Sequence, residues 1–194
     1  MKNFILNADD FGMSDAFNRA VLNGFEKGLL KSASLCANGE AFNEAVNSII
    51  PKCRGLSVGV HLNIIEGKSL SNVPLLTDRK GVFNNGYLSI MKKSLNEEFL
   101  EEVEREFRLQ IEKIKSKTQV DHIDSHVHTH AIPAIFKIVV KLAQEYKIPY
   151  IRTQFEKPYF VLDKMFNTKY PVNVLKIILL NTFTVLNRRV LKNT

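Results

Sequence analysis

Apolar runs of strand length alternate with helix-patterned segments about five times along this chain, and that alternation leaves few folds open. Residues 2–7 read as a short buried strand running into Asp9 and Asp10. Residues 32–37, 56–64, 120–124 and 150–153 read as four more. Ser14 is placed to cap a helix through about residue 27, with Phe17, Val21 and Phe25 at i, i+4, i+8 and Gly28 to end it. Residues 41–50 have a helical pattern stopped by Pro51. Ser94 and Glu97 form a capping box ahead of Phe99, Val103, Phe107 and Ile111, and the Glu- and Lys-rich side of that helix is expected to face water. Pro133 opens a further helix through about residue 146. Parallel strands need crossovers of about a dozen residues, so this order predicts a parallel α/β barrel or an open α/β sheet. Residues 65–93 lack a clear period, and a connection that long is expected to be a functional loop or a disordered one.

The 194 residues suffice for a single domain, taken as 1–194, and 45% hydrophobic against 24% charged is ordinary for a globular protein. The two cysteines, Cys36 and Cys53, lack CxxC spacing and are expected to be reduced thiols of a cytoplasmic protein. The first residues turn acidic after three apolar ones, unlike a signal peptide. No apolar run approaches the roughly 20 residues needed to span a bilayer, so no membrane is expected as a partner. The net charge is +7. Six bases (Lys164, Lys169, Lys176, Arg188, Arg189, Lys192) and no acid lie from residue 164 onward, leaving the rest of the chain at +1. They are scattered among Ile, Leu and Val, as on the wet face of an amphipathic helix, and nucleic acid is not the expected partner.

Four of the five histidines fall within nine residues, His122, His126, His128 and His130, with Asp124 among them. In an extended segment alternate side chains share a face, so this run would align four imidazoles and a carboxylate. Asp9 and Asp10 end the first strand, His61 the third, Asp124 and His126 the fourth. Parallel α/β folds gather their sites at the carboxyl ends of strands. Two imidazoles and a carboxylate leave open positions on a divalent ion, which polarises a carbonyl and lowers the pKa of bound water. On an extended backbone Asp9 and Asp10 point to opposite sides, so one would ligate while the other takes the water's proton. A further histidine would protonate the leaving group. This set suits metal-assisted hydrolysis of an amide or ester; without GxGxxG or a Walker motif, hydride transfer and NTP chemistry are not expected.

The segments Asn7-Ala8-Asp9-Asp10-Phe11-Gly12, Gly59-Val60-His61-Leu62-Asn63 and Asp124-Ser125-His126-Val127-His128-Thr129-His130 closely resemble the signature of the YdjC-like carbohydrate deacetylases, a family that includes chitooligosaccharide deacetylases. Weaker echoes are Gly28 followed by Ser32-Ala33-Ser34, then Asn38, Gly67, and Ile151-Arg152 with Glu156, so the likeness covers residues 1–156. The resemblance implies a (β/α) barrel related to polysaccharide deacetylases. It implies hydrolysis of N-acetyl groups on amino-sugar oligosaccharides with a divalent ion, often Mg2+, although the ligands would equally suit Zn2+. Carried onto this sequence, Asp10, His61 and His126 are the metal ligands and Asp9 the general base. His128 and His130 sit in the substrate pocket, His130 as the candidate proton donor, and Arg152 orients Asp9 or contacts substrate. His122, deeper in its strand, is the structural one.

The family pattern also includes further strands and a late Glu-x-x-Cys-His-Pro-Gly-like motif, and no such stretch occurs here. The barrel is therefore expected to be incomplete toward the C-terminus. Residues 172–191, rich in Val, Ile, Leu and Phe, would then leave apolar surface, with which a homodimer is compatible. Two alternatives follow. One is a catalytically impaired, truncated relative that binds metal or sugar without turnover. The other is a barrel metallohydrolase acting on a phosphoester or cyclic amide, against which stands the Asp-Asp pair where such enzymes often open with His-x-His.

Overall fold

In a computed structural model, residues 4–156 and 169–192 are described. Five strands form one sheet: β1 (Asn7–Phe11), β2 (Ser32–Leu35), β3 (Ser57–Leu62), β4 (His122–Ser125) and β5 (Tyr150–Ile151). Their order is that of the chain, and every neighbouring pair is parallel. Sequential parallel strands are the arrangement of barrel staves; a doubly wound sheet reverses its order midway. Among the described residues β1 and β5 are the edges. The sheet is curved enough that Arg152, just past β5, reaches Asp9 on β1. The parallel α/β expectation holds, and the described part is an arc of barrel wall.

Register and side-chain alternation give the arc two different faces. Ala33 and Leu35, Val58, Val60 and Leu62, and Ile123 belong to the apolar core beneath the helices. The intervening residues make the inner face, and the register stacks them in levels: Asn7 with Ser32 and Ser57, then Ser34 with Gly59 and His122, then His61 with Asp124. The inside of the arc is thus small and polar, and its uppermost level carries the chemistry.

The helices are α1 (Asp15–Glu26), the short α2 (Phe42–Glu44), α3 (Tyr87–Lys93), α4 (Glu97–Lys115), α5 (Pro133–Glu145) and α6 (Lys169–Lys192); α1, α4 and α5 pack on the strands, while α3 and α6 meet the segment after β4. Several local expectations need correction. β1 begins at Asn7, where the strand had been expected to end; residues 4–6 are not in a strand, and residues 1–3 lie outside the described residues. The helix expected over 41–50 becomes α2, a wider π turn over Ala45–Ile49 and a 3-10 turn over Ile50–Lys52, as Pro51 lacks the N–H a regular turn would use. Ser14 does sit at the N-cap of α1, but its side chain makes no capping bond. The capping box is also displaced. Ser94 still belongs to the end of α3, donating to the Met91 carbonyl, while Asn96 caps α4 by accepting from the Phe99 N–H at 3.1 Å.

The charged side of α4 does not simply meet water. Phe99, Val103, Phe107, Ile111 and Ile114 fill the core as expected, but Glu102, Glu106 and Gln110 are buried too. Glu106, with no exposed surface, accepts from the Leu70 and Ser71 N–H groups, the Ser71 hydroxyl and Gln110. Glu102 accepts from the Leu75 N–H at 2.8 Å. Residues 65–86 carry several backbone bonds of their own, and these carboxylates accept from the Leu70, Ser71 and Leu75 N–H groups, which ties the loop to α4.

α6 packs on α5 and on the segment after β4, where the Asn187 side-chain amide donates to the Ala131 carbonyl at 2.8 Å. Leu175, Ile178 and Val185 on α6 remain more than half exposed, so the expected apolar surface is present. Among the described residues no helix is long and apolar enough to cross a membrane. Cys36 and Cys53 are free and buried.

Candidate metal centre

The ends of β1, β3 and β4 bring Asp10, His61 and His126 together. One ligand atom from each lies within 4.8 Å of the other two. Asp10 Oδ1 is 3.1 Å from His61 Nε2 and 2.8 Å from His126 Nδ1. The backbone that achieves this is not the extended one expected. The β1 register slips between Ala8 and Phe11, and Asp10 has φ 61°, a conformation that side-chain-bearing residues rarely adopt. Asp9 and Asp10 consequently both flank His61, rather than pointing to opposite faces. Non-glycine residues held at positive φ cost energy and persist only where their surroundings fix them.

A second layer holds these groups. Asp124, almost fully buried, accepts from His61 Nδ1 at 2.7 Å, which turns Nε2 toward Asp10. Its other oxygen accepts from the Ser34 hydroxyl at 2.8 Å and from Arg152 Nη1 at 3.2 Å. Burial works against the Asp124 charge, but the His61 and Ser34 bonds win and bring its pKa down to about 2. The His126 and His61 contacts hold the Asp10 carboxyl well below the usual carboxylate range. His61 is driven down by burial and up by Asp10 and Asp124, and the carboxylates prevail at about 9. Asp9 is gripped differently. Arg152 Nη1 lies 2.9 Å from both of its oxygens, and Asn7 Nδ2 donates to it at 2.7 Å.

The histidine run splits into two conformations. β4 ends at Ser125; His126–Ala131 turns as a 3-10 segment in which Val127 (φ 53°) and His128 (φ 58°) are left-handed. The four imidazoles therefore do not share a face. His122 lies one level below the site, its Nε2 3.1 Å from the Ser34 oxygen. His126 completes the candidate ligand set. Half-buried His128 lines a cleft of about 620 Å3 together with Tyr87, Leu88, Val127, Glu156 and part of α6. His130, the expected proton donor, is enclosed instead: its surface exposure is zero and both ring nitrogens are engaged. Nε2 donates to the Arg152 carbonyl at 2.9 Å, and Nδ1 faces the Ser125 hydroxyl at 2.5 Å. That ring braces the segment carrying Arg152 and does not open onto the cleft.

The donor set fits a divalent cation. Two imidazole nitrogens and a carboxylate oxygen converge from three strand ends; His61 is fixed by a buried carboxylate; Asp10 and His126 keep some exposure for entry. Sequence reasoning gives no role to Asn7 and Ser34, although both stand in the segments that carry the resemblance, or to Gln154, whose Nε2 lies 3.3 Å from His128 Nδ1 and from His130 Nε2.

A parallel α/β arc with a carboxylate–bis-imidazole cluster at its strand ends defines a candidate metallohydrolase of barrel type. The family model described as "YdjC-like protein" matches residues 3–191, and the chain belongs to that family. Curated relatives include the carbohydrate deacetylases of Brevibacillus brevis, 41% identical over 147 residues, and Clostridium beijerinckii, 40% identical over 147. Each alignment covers 75% of this chain but only 57% and 58% of the relative. The crystal structure of a putative cellobiose-phosphate cleavage protein from Enterococcus faecalis superposes with a TM-score of 0.64 at 27% identity, covering 89% of this chain and 64% of that one. The chain thus spans less than two thirds of the relatives it matches.

Proposed function

We propose that this chain is a divalent-cation-dependent deacetylase that hydrolyses N-acetyl groups on amino-sugar oligosaccharides of the chitooligosaccharide type. The observation that carries the reading is the convergence of Asp10, His61 and His126 beside an Asp9 that Arg152 and Asn7 hold in place. The curated relatives named carbohydrate deacetylases support the carbohydrate and the acyl transfer to water.

Asp10, His61 and His126 would hold the cation, Mg2+ in the first instance and Zn2+ as the other ion this donor set suits. The cation would polarise the acetyl carbonyl and acidify a water beside it. Asp9, pinned by Arg152 so that its oxygens cannot swing away, takes the proton from the attacking water. With His130 enclosed, Asp9 is also the group that returns that proton to the leaving nitrogen as the C–N bond breaks, giving acetate and the free amine. Burial, followed by the nearby Arg152 charge, pushes the His128 pKa down, so its ring is neutral at pH 7 and offers a polar contact to substrate along the cleft. Arg152 keeps Asp9 in position. Two buried free thiols suit a reducing compartment, and we place the protein in the cytoplasm.

The test is acetate release from diacetylchitobiose by the 194-residue chain with Mg2+, with Zn2+ and after EDTA. Cation-dependent release supports the reading. The second reading, binding without turnover, is favoured by the arc itself: among the described residues no strand closes the wall between β5 and β1. A folded chain that binds cation and releases no acetate would choose it.

A further inference from the structure

Beneath the ligand set, at the level of Gly59, two side chains outside it are tied into it. The Ser34 oxygen lies within hydrogen-bond distance of three groups: Asn7 Nδ2 at 2.9 Å, Asp124 Oδ2 at 2.8 Å and His122 Nε2 at 3.1 Å. A hydroxyl has one proton to give and two lone pairs to fill. The Asn7 amide nitrogen can only donate; its orientation is set by Asp9, which takes its other proton, and by Ser32, which donates to its carbonyl oxygen at 2.6 Å. Asp124 Oδ2 accepts here, as it does from Arg152 Nη1. The single Ser34 proton therefore points at Asp124 Oδ2, and the remaining lone pair of Ser34 faces His122 Nε2. The far side of that ring is held as well, with Nδ1 2.5 Å from Asp121 Oδ1, while Asp121 Oδ2 accepts from Ser57 at 2.7 Å.

The space for this arrangement is built. A Cβ on Gly59 would stand 2.2 Å from the His122 ring, so only glycine lets the imidazole lie across β3 to reach Ser34. Ser34 is fully buried, and no bulk water competes for its hydroxyl.

We infer that Ser34 and His122 are positioning residues for the metal centre: by saturating one oxygen of Asp124 they reserve the other for His61 Nδ1, and so hold His61 Nε2 toward Asp10. This rests on the metal-centre reading above. Without the Ser34 hydroxyl, Asp124 Oδ2 keeps only the longer Arg152 contact, and the carboxylate is free to rotate away from His61. Without the His122 nitrogens, the Ser34 hydroxyl loses the contact that fixes it opposite Asp124. Both losses reach the cation through the same carboxylate.

The test measures Zn2+ and Mg2+ affinity by calorimetry on the full chain, as wild type, Ser34→Ala, His122→Phe and the double variant. His122→Phe keeps a flat ring over Gly59 and removes only the nitrogens. Ser34→Ala should weaken cation binding by about tenfold, the range seen when outer-shell partners of ligating histidines are removed. His122→Phe should weaken it by less, though by more than about twofold. The double variant should bind no more weakly than Ser34→Ala, since groups acting through one partner are not additive. In the Zn2+-loaded chain, the proton on His61 Nδ1 should exchange faster in each variant than in wild type by NMR. A purely packing role would leave that proton and the affinity unmoved. Affinities within twofold of wild type, or losses that add in the double variant, would overturn the inference. If Ser34→Ala does not fold, His122→Phe decides alone on the same twofold limit. A wild-type chain that binds neither ion would overturn the metal-centre reading and this inference with it, an outcome distinct from variants that bind like wild type.

Discussion

His130 gives the sharpest stability prediction because its neutral form is built into the fold. Its Nε2 must carry the proton, since the Arg152 carbonyl can only accept, and Nδ1 then faces the Ser125 hydroxyl as an acceptor. Desolvation drops its pKa from 6.5 to about 4. A base with a depressed pKa binds fewer protons folded than unfolded between those two values, so stability is intact above 6.5 and is lost as pH falls toward 4. Over that whole window the loss is roughly 3 kcal/mol, at 1.36 kcal/mol per unit. Between pH 7 and pH 5 it is about 2 kcal/mol. His130→Gln removes the titrating ring and leaves every other ionisable group in place. Urea unfolding of both proteins in EDTA at pH 7 and pH 5 isolates the term, because shared contributions cancel in the difference. Wild type should lose about 2 kcal/mol more than the variant on acidification, whatever the variant costs at pH 7. Parallel losses in the two proteins would refute the claim that His130 is held neutral by burial.

Four further outcomes follow from particular contacts. Asp9→Asn should cut acetate release by 10^2-fold or more, on the order seen for a lost general base, while calorimetry finds the cation affinity nearly unchanged; loss of binding would exchange the roles of Asp9 and Asp10. In the cation-free chain His61 titrates at about 9, so uptake at pH 7 should release a proton, with affinity rising toward pH 9; calorimetry in two buffers of different ionisation heat reads it. Glu106→Ala should cost roughly 2–4 kcal/mol by urea unfolding and speed hydrogen exchange at Leu70 and Ser71, whose N–H groups lose their acceptor. Phe107→Ala, at a site with no exposed surface in the centre of α4, should cost roughly 3–5 kcal/mol by the same assay.

What the sequence made legible was whatever repeats with a period. Five strand-helix alternations specify the parallel sheet. Within β2, β3 and β4 the polar residues fall at every second position, Ser32 and Ser34, Gly59 and His61, His122 and Asp124, and the structure puts each set on the inner face. Asp10, His61 and His126 could be assembled because strand ends in such a sheet meet at one rim. The failures share a cause, in that one residue pattern serves two geometries. Glutamates at i, i+4 on α4 look the same whether they face water or cap a neighbouring loop, and only the loop's unpaired N–H groups distinguish the cases. Alternate histidines suggested a strand past residue 125. The Ser125 hydroxyl, which takes the His130 N–H at 2.9 Å, instead folds the chain back, forcing Val127 and His128 into left-handed conformations that no propensity favours.

That reversal matters to the site more than the strand it replaced would have. A continued strand would carry His126, His128 and His130 upward on one face, spreading them along the rise of β4, about 3.3 Å per residue. The turn keeps His126 at the level of Asp10, sends His128 to the cleft, and folds His130 back under Arg152. Arg152 then reaches from the end of β5 to Asp9 on β1, the two edges of the described sheet, and to Asp124 between them. One guanidinium thus links Asp9, Asp124 and the last strand, and the backbone carbonyl of Arg152 is held by a ring that cannot be protonated without loss of stability. The precision of the rim therefore depends on residues outside the candidate ligand set. This predicts an asymmetry in how the protein loses function. Conservative changes at Ser34, His122 or His130 should leave a folded sheet with a slack site, whereas changes at Phe107 or Glu106 should lower the stability of the whole domain and leave the geometry of the rim intact while it is folded.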